Sequence, residues 1–219
     1  MKAIKEQFVE YLEKEDKEAA YQFVMEKLQL EELDIIDFYT KVLTPALNEM
    51  KCELSDHRLC IWKEHIRTAI VRTIVEACYP YVLKKKKELG LEKRGNVIVV
   101  CPPEEFHDLG ARMVSDFFTI NGFHTVFVGS NTPFEDFYQA VEILKPDVVA
   151  ISVSNYYNLV VTKKIITAIR EKIKNPVQII VGGNAFLDKP DQYKVIGADS
   201  YAATYEDIQS LCVGKGAVQ

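Results

Sequence analysis

From residue 96 onward, five short apolar runs alternate with amphipathic stretches, and that alternation leaves few folds open. The runs are Val97–Val100, Thr125–Val128, Val148–Ser152, Val177–Val181 and Tyr201–Ala203. Most are rich in Val and Ile, the pattern of strands buried on both faces. The stretches between them, at 107–121, 134–144, 159–174 and 188–196, carry helical periodicity. Strand–helix–strand repetition of this kind builds a parallel sheet through right-handed crossovers. Asn121-Gly122 suits the left-handed end of the first helix, and Pro133 suits the first turn of the second. Residues 91–219 are therefore expected to form a flavodoxin-like, doubly wound α/β domain on a five-stranded parallel sheet.

The first 90 residues carry a different pattern. Ile4, Phe8, Tyr11 and Leu12 make one helical stripe, and Ala19, Phe23, Val24 and Leu28 a second. A third runs from Leu33 to Leu54, with a break expected at Pro45. The longest runs from Ile61 to Leu83, with a kink expected at Pro80. Four amphipathic helices with short connections predict an N-terminal four-helix bundle over residues 1–90. Lys84-Lys85-Lys86-Lys87 reads as the solvated end of the last helix, where cations favour the dipole, and the linker is placed at 88–95.

Composition then removes several function classes. A formal net charge of −5 and a pI near 5.5 argue against a nucleic-acid surface, which needs a basic stripe. Lys2, Lys5, Glu6 and Glu10 break up any signal-peptide core, and no run of apolar residues is long enough to cross a membrane. The five cysteines (52, 60, 78, 101, 212) form no CxxC pair, and their scatter suits a reducing, cytoplasmic setting. No nucleophile–base set stands out, so catalysis by the chain alone is not expected.

Polar signals gather at the carboxyl ends of the predicted strands, the edge where open α/β sheets bind ligands. Glu105-Phe106-His107-Asp108-Leu109-Gly110 follows the first strand, Ser152-Val153-Ser154 ends the third, and Gly182-Gly183 ends the fourth. A single loop histidine is weak as a signal. Three such signals at fixed spacing resemble the fingerprint of the B12-binding domain family, Asp-x-His-x-x-Gly, Ser-x-Leu and Gly-Gly. Here 41 residues (111–151) and 27 residues (155–181) separate the three parts, as the family requires. Glu105 stands where the family has Asp, and Ser154 where it has Leu.

The resemblance implies cobalamin as cofactor. His107 would be the lower axial ligand of the cobalt, in place of the cofactor's own benzimidazole. Glu105 would hold the other ring nitrogen, with Asp108 as the fallback, since ligating histidines are commonly fixed by a carboxylate. Gly110 would let helix and nucleotide tail approach closely. Ser152 would bond the benzimidazole, and Gly182-Gly183 would leave room for the tail. Phe106, Thr132 and Ser154 complete the cofactor-binding candidates in this half.

The helical half also shows a resemblance. Pro45-Ala46-Leu47 followed by Glu64-His65 is similar to the cap of CarH-type B12-dependent photoreceptors, where the Glu-His pair faces the upper ligand. Leu54 stands where that family has Trp, and Ser55 where the photoreceptor has His. Trp62 is out of register and is expected to be a core or interface aromatic. Glu64 could instead pair with Arg67. The main functional expectation is a cobalamin-binding sensory or regulatory protein, acting through a protein partner because no DNA-binding segment precedes the cap. Alternatives are a corrinoid carrier serving methyltransferases and a haem-binding variant of the same fold. Self-association is compatible with each of them.

Overall fold

The computed structural model describes residues 1–49 and 57–213. The chain divides into two compact units, Met1–Lys85 and Lys86–Gln219. The first unit is helical. Its elements are α1 (Lys2–Glu13), α2 (Lys17–Gln29), α3 (Ile35–Asp37), α4 (Thr44–Glu49), α5 (His57–Ala77) and the greater part of α6 (Tyr79–Leu89). Asp16 starts α2 by accepting the Ala19 N–H at 3.0 Å, the usual cap of a helix amino end. Phe8, Leu12, Val24, Leu28, Phe38 and Leu43 are buried, so the apolar stripes of the sequence do face a core.

Two of the four predicted helical stretches are interrupted, both near a proline. The third stretch changes to a π-helical turn at Phe38–Leu43 between α3 and α4. The Thr44 N–H reaches back five residues to the Tyr39 carbonyl, and its hydroxyl bonds the same oxygen at 2.8 Å. Pro45 follows with no N–H to continue the ordinary ladder. The fourth stretch is two helices. Cys78 separates α5 from α6, its N–H shared between the Ile74 and Val75 carbonyls. Pro80 then lies in the first turn of α6, where a missing donor costs little. Lys86 and Lys87 lie in the last turn of α6. Lys84 and Lys85 pair with Glu31 and Asp34.

The second unit is the expected α/β domain. Strands β1 (Asn96–Val100), β2 (His124–Gly129), β3 (Val148–Ser152), β4 (Gln178–Gly182) and β5 (Ser200–Tyr201) form one sheet in the order β2-β1-β3-β4-β5. Every pairing is parallel. The crossovers carry α7 (Leu109–Ile120), α8 (Phe134–Leu144), α9 (Leu159–Lys172) and α10 (Gln192–Val195), and α11 (Tyr205–Val213) follows β5. α10 is shorter than the 188–196 pattern. β2 is not buried on both faces. It is an edge strand, with Val126 38% and Val128 47% exposed. α7 is buried along almost its whole length and holds a buried Arg112–Asp116 ion pair at 2.5 Å. Asn121 ends α7 by bonding the Phe117 carbonyl through its side chain at 2.9 Å, and the left-handed residue is Gly122.

Among the described residues, no helix is long and apolar enough to cross a membrane. Cys78, Cys101 and Cys212 are buried thiols. Cys60 is disulfide-bonded.

Candidate cofactor site at the sheet rim

The strand order places a switch point between β1 and β3. The chain leaves β1 for β2 on one side and returns to β3 on the other. A crevice forms where loops diverge in this way, and ligands of open α/β sheets occupy it. The β1–α7 loop carries Glu105 and His107, and the β3–α9 loop carries Ser154 to Asn158.

Glu105 joins these loops. Its side chain is fully buried, and a buried carboxylate needs partners for its lone pairs. Oε1 accepts the His107 backbone N–H at 3.2 Å and lies 2.9 Å from the ring Nδ1 of the same residue. Oε2 accepts the N–H of Ser154 at 2.9 Å, the N–H of Asn155 at 2.8 Å and the Asn158 side-chain amide at 3.1 Å. Burial alone pushes the Glu105 carboxyl up. The Asn155 N–H, the His107 ring and N–H and the Asn158 amide together outweigh it and hold the group below the usual carboxylate range. An anionic acceptor at Nδ1 favours the tautomer with hydrogen on that nitrogen. Nε2 then keeps a free lone pair on a side chain that is 68% exposed.

The neighbouring loop is tied to the same residue. The Asn131 N–H donates to the Glu105 carbonyl at 3.0 Å, and the Glu104 N–H donates to the Asn131 side chain at 3.0 Å. Glu104 and Asn131 both have left-handed backbones, with φ of 62° and 51°. Asparagine tolerates that conformation, whereas a residue such as Glu104 holds it only where its surroundings impose it. Cys101, at the end of β1, is pushed up to about 12 by burial first and then by the charges of Asp108 and Glu105. It therefore stays a protonated thiol.

The remaining candidates are placed as follows. Phe106 is 66% exposed beside His107. Asp108 is buried and stands at the start of α7, where its carbonyl takes the Arg112 N–H. The His107 ring goes to Glu105 and not to this fallback. Thr132 is half-buried, and its N–H points to the Cys101 carbonyl at 3.4 Å. Ser152 pairs with Gly182 across β3 and β4. Ser154 acts through its backbone N–H, which a side-chain reading did not anticipate. Glu64 and His65 lie exposed on α5, and among the described residues neither side chain makes a hydrogen bond or ion pair. The Glu64–Arg67 pair is thus not formed. Trp62 is exposed on the same helix and is not a core aromatic. Leu54 and Ser55 lie outside the described residues.

The glycines differ in what requires them. A Cβ on Gly182 would come within 2.6 Å of the Ala202 carbonyl oxygen, and one on Gly183 within 2.4 Å of the Val153 carbonyl oxygen. Gly183 also has φ +102°, out of reach of ordinary side chains. The Gly pair is therefore required by close backbone approach, before any ligand is considered. A Cβ on Gly110 would meet nothing within 4 Å, so packing within the protein does not explain that glycine. Sequence reasoning missed Asn131, Asn155 and Asn158. Asn155 had a local signal, since asparagine after a strand favours a turn, and its side chain does accept the Tyr157 N–H at 3.1 Å.

Comparison with known proteins agrees with this geometry. The family described as B12 binding domain matches residues 95–209. Trimethylamine corrinoid protein 1 of Methanosarcina acetivorans is 24% identical over 179 residues, 81% of each chain. The HTH-type transcriptional repressor CarH of Myxococcus xanthus is 25% identical over 147 residues, 67% of this chain and 47% of that protein. Among solved structures, the Methanosarcina barkeri monomethylamine corrinoid protein superposes with a TM-score of 0.79 at 18% identity. It covers 97% of this chain and 98% of that one, a likeness of fold. With the histidine, its buried carboxylate and the glycines at one rim, the chain is a cobalamin-binding protein and belongs to the B12 binding domain family.

Proposed function

We propose that the protein is a corrinoid methyl carrier that passes methyl groups between methyltransferase partners. The observation that carries this reading is the extent of the likeness to the trimethylamine corrinoid protein, 81% of both chains. That span is longer than the second unit (Lys86–Gln219) and therefore reaches into the helical unit. The match to CarH takes in less than half of that repressor, so the sensory reading has less behind it.

The residues of the rim suit a corrinoid on chemical grounds. Among the described residues, no group of three or more His, Cys, Asp or Glu side chains is placed to hold a bare metal ion. A metal held by His107 there brings its other ligands with it, as a corrin does. When bound, cobalamin supplies a cobalt centre that accepts and surrenders a methyl group. His107 would hold the cobalt through Nε2. Glu105 keeps the proton on Nδ1 and sets the ring's orientation. Gly110 gives the nucleotide tail its passage, while Phe106, Asp108, Thr132, Ser152, Ser154, Gly182 and Gly183 line the lower site. Residues 91–219 would hold the cofactor, and residues 1–90 form the helical unit, in which Glu64 and His65 are the pair similar to that of the CarH-type proteins.

The test uses the full chain loaded with hydroxocobalamin, reduced, and offered labelled methyl iodide. A carrier retains label in proportion to bound cofactor and releases it to a thiol when a corrinoid-dependent methyltransferase is added. A light-dependent change of assembly state with no transfer of label would favour the sensor instead.

A further inference from the structure

The carboxyl end of β3 carries two hydroxyls that the protein leaves unused. Val149, Ile151 and Val153 belong to the core cluster shared with α8 and α9. Side chains alternate along an extended chain, so Ser152 and Ser154 fall on the opposite side, where α7 packs. Both serines are half-buried, and among the described residues neither hydroxyl makes a hydrogen bond. Gly182 pairs in register with Ser152 and puts no side chain beside it. Gly110, in the first turn of α7, has open space where a Cβ would stand. Ser154 lies close to His107, since the N–H groups of both bond the Glu105 carboxylate.

We propose that Ser154, together with Ser152, selects corrinoids by the base of the nucleotide tail, favouring a base with a second hydrogen-bonding group over dimethylbenzimidazole. This inference rests on the chain binding a corrinoid, and not on its being a methyl carrier. A base displaced from cobalt by a histidine is left with one bare ring nitrogen, and one hydroxyl satisfies it. The far edge of dimethylbenzimidazole carries only hydrocarbon, ending in two methyl groups. A second hydroxyl covered by that edge loses water and gains no partner, which is costly. Adenine adds an exocyclic amine and further ring nitrogens, and a hydroxybenzimidazole adds a hydroxyl. Either one gives the second serine a partner. The leucine that the B12-binding fingerprint has in place of Ser154 favours methyl groups instead, by apolar contact. Selection by Ser154 should be modest, because a half-buried hydroxyl keeps some access to water.

The experiment titrates the full chain, Ser154→Ala and Ser154→Leu with four corrinoids in their aquo forms and follows the visible spectrum. The four are cobalamin, adeninylcobamide, hydroxybenzimidazolylcobamide and cobinamide, which has no base. The cobamides differ in how readily they release their own base from cobalt. That difference belongs to the free cofactor and cancels when variant and wild type are compared. Relative to cobalamin, affinity for the two polar-base cobamides should fall about 2- to 10-fold in Ser154→Ala, the worth of one hydrogen bond. It should fall further in Ser154→Leu. Cobinamide should bind wild type and Ser154→Ala alike, because the residue 154 N–H to Glu105 is kept. Relative affinities that stay the same in both variants would overturn the proposal. So would a fall for cobinamide as large as that for the polar-base cobamides. If Ser154→Leu does not fold, Ser154→Ala decides alone. If wild type binds none of the four, the corrinoid reading itself falls, and the proposal with it.

Discussion

Replacing Gly110 with alanine should move stability and affinity in opposite directions. Gly110 is the second residue of α7, its φ is not positive, and an added Cβ meets no protein atom within 4 Å. Alanine is better than glycine inside a helix by roughly 0.8–1.0 kcal/mol. Near a helix end about half of that is realised, or about 0.5 kcal/mol. For a chain of this size such a gain raises the melting temperature by about 1–2 °C. The cofactor-free protein should therefore be slightly more stable. If the nucleotide tail passes over this position, the same methyl group intrudes on a close contact and costs about 1–3 kcal/mol. That is about 5- to 150-fold in affinity. Thermal melts of the free protein and a spectrophotometric titration with hydroxocobalamin measure the two effects. A variant with raised stability and unchanged affinity would refute the assignment of this glycine to the tail.

Gly183→Ala should behave in the opposite way, because its Cβ would strike the Val153 carbonyl. Strained backbone alone costs about 1–3 kcal/mol, and displacing the β3 loop adds lost hydrogen bonds, so denaturant titration of the cofactor-free chain should show a loss of about 3 kcal/mol or more. Acid should weaken the free protein through Glu105. Its folded carboxyl lies below the usual 4.5, so its contribution is complete above that pH and is lost as pH falls through the depressed value. Denaturation from pH 6 to pH 3 should show a smaller acid loss in Glu105→Gln than in wild type. Cys101, a thiol pushed up to about 12, should resist iodoacetamide at pH 8 in the native chain and react on unfolding, as peptide mass mapping would show.

Much of the fold could be read from the chain because the governing signal is periodic. The Val- and Ile-rich runs lie within a residue or two of the strands, and the alternation with helices dictates a parallel sheet. The exposed edge strand β2 was not legible, since Thr125–Val128 is as apolar as the buried strands and only strand order decides its exposure. The interruptions at Tyr39–Pro45 and at Cys78 were visible as prolines nearby, but not as a π turn or as two helices. At the site, a histidine with a carboxylate two residues before it was visible from spacing. The partners of that carboxylate across the rim were not, because Ser154 and Asn155 contribute backbone N–H groups, which every residue but proline carries. Asn158 lies 53 positions from Glu105, and no local pattern relates the two. The Gly pair was recognised for its possible ligand, whereas packing against Ala202 and Val153 already requires it.

The central claim is that His107 binds the cobalt of cobalamin. Cobalamin bound to the full chain can be reduced by one electron, and its paramagnetic resonance spectrum reports the axial nitrogen. The protein is prepared once with natural histidine and once with histidine labelled with nitrogen-15, while the cofactor stays unlabelled. The axial splitting should change from the nitrogen-14 to the nitrogen-15 pattern on labelling, and His107→Ala should abolish the change. A nitrogen-14 pattern that persists in the labelled protein would mean that the cofactor keeps its own base, and would contradict the claim.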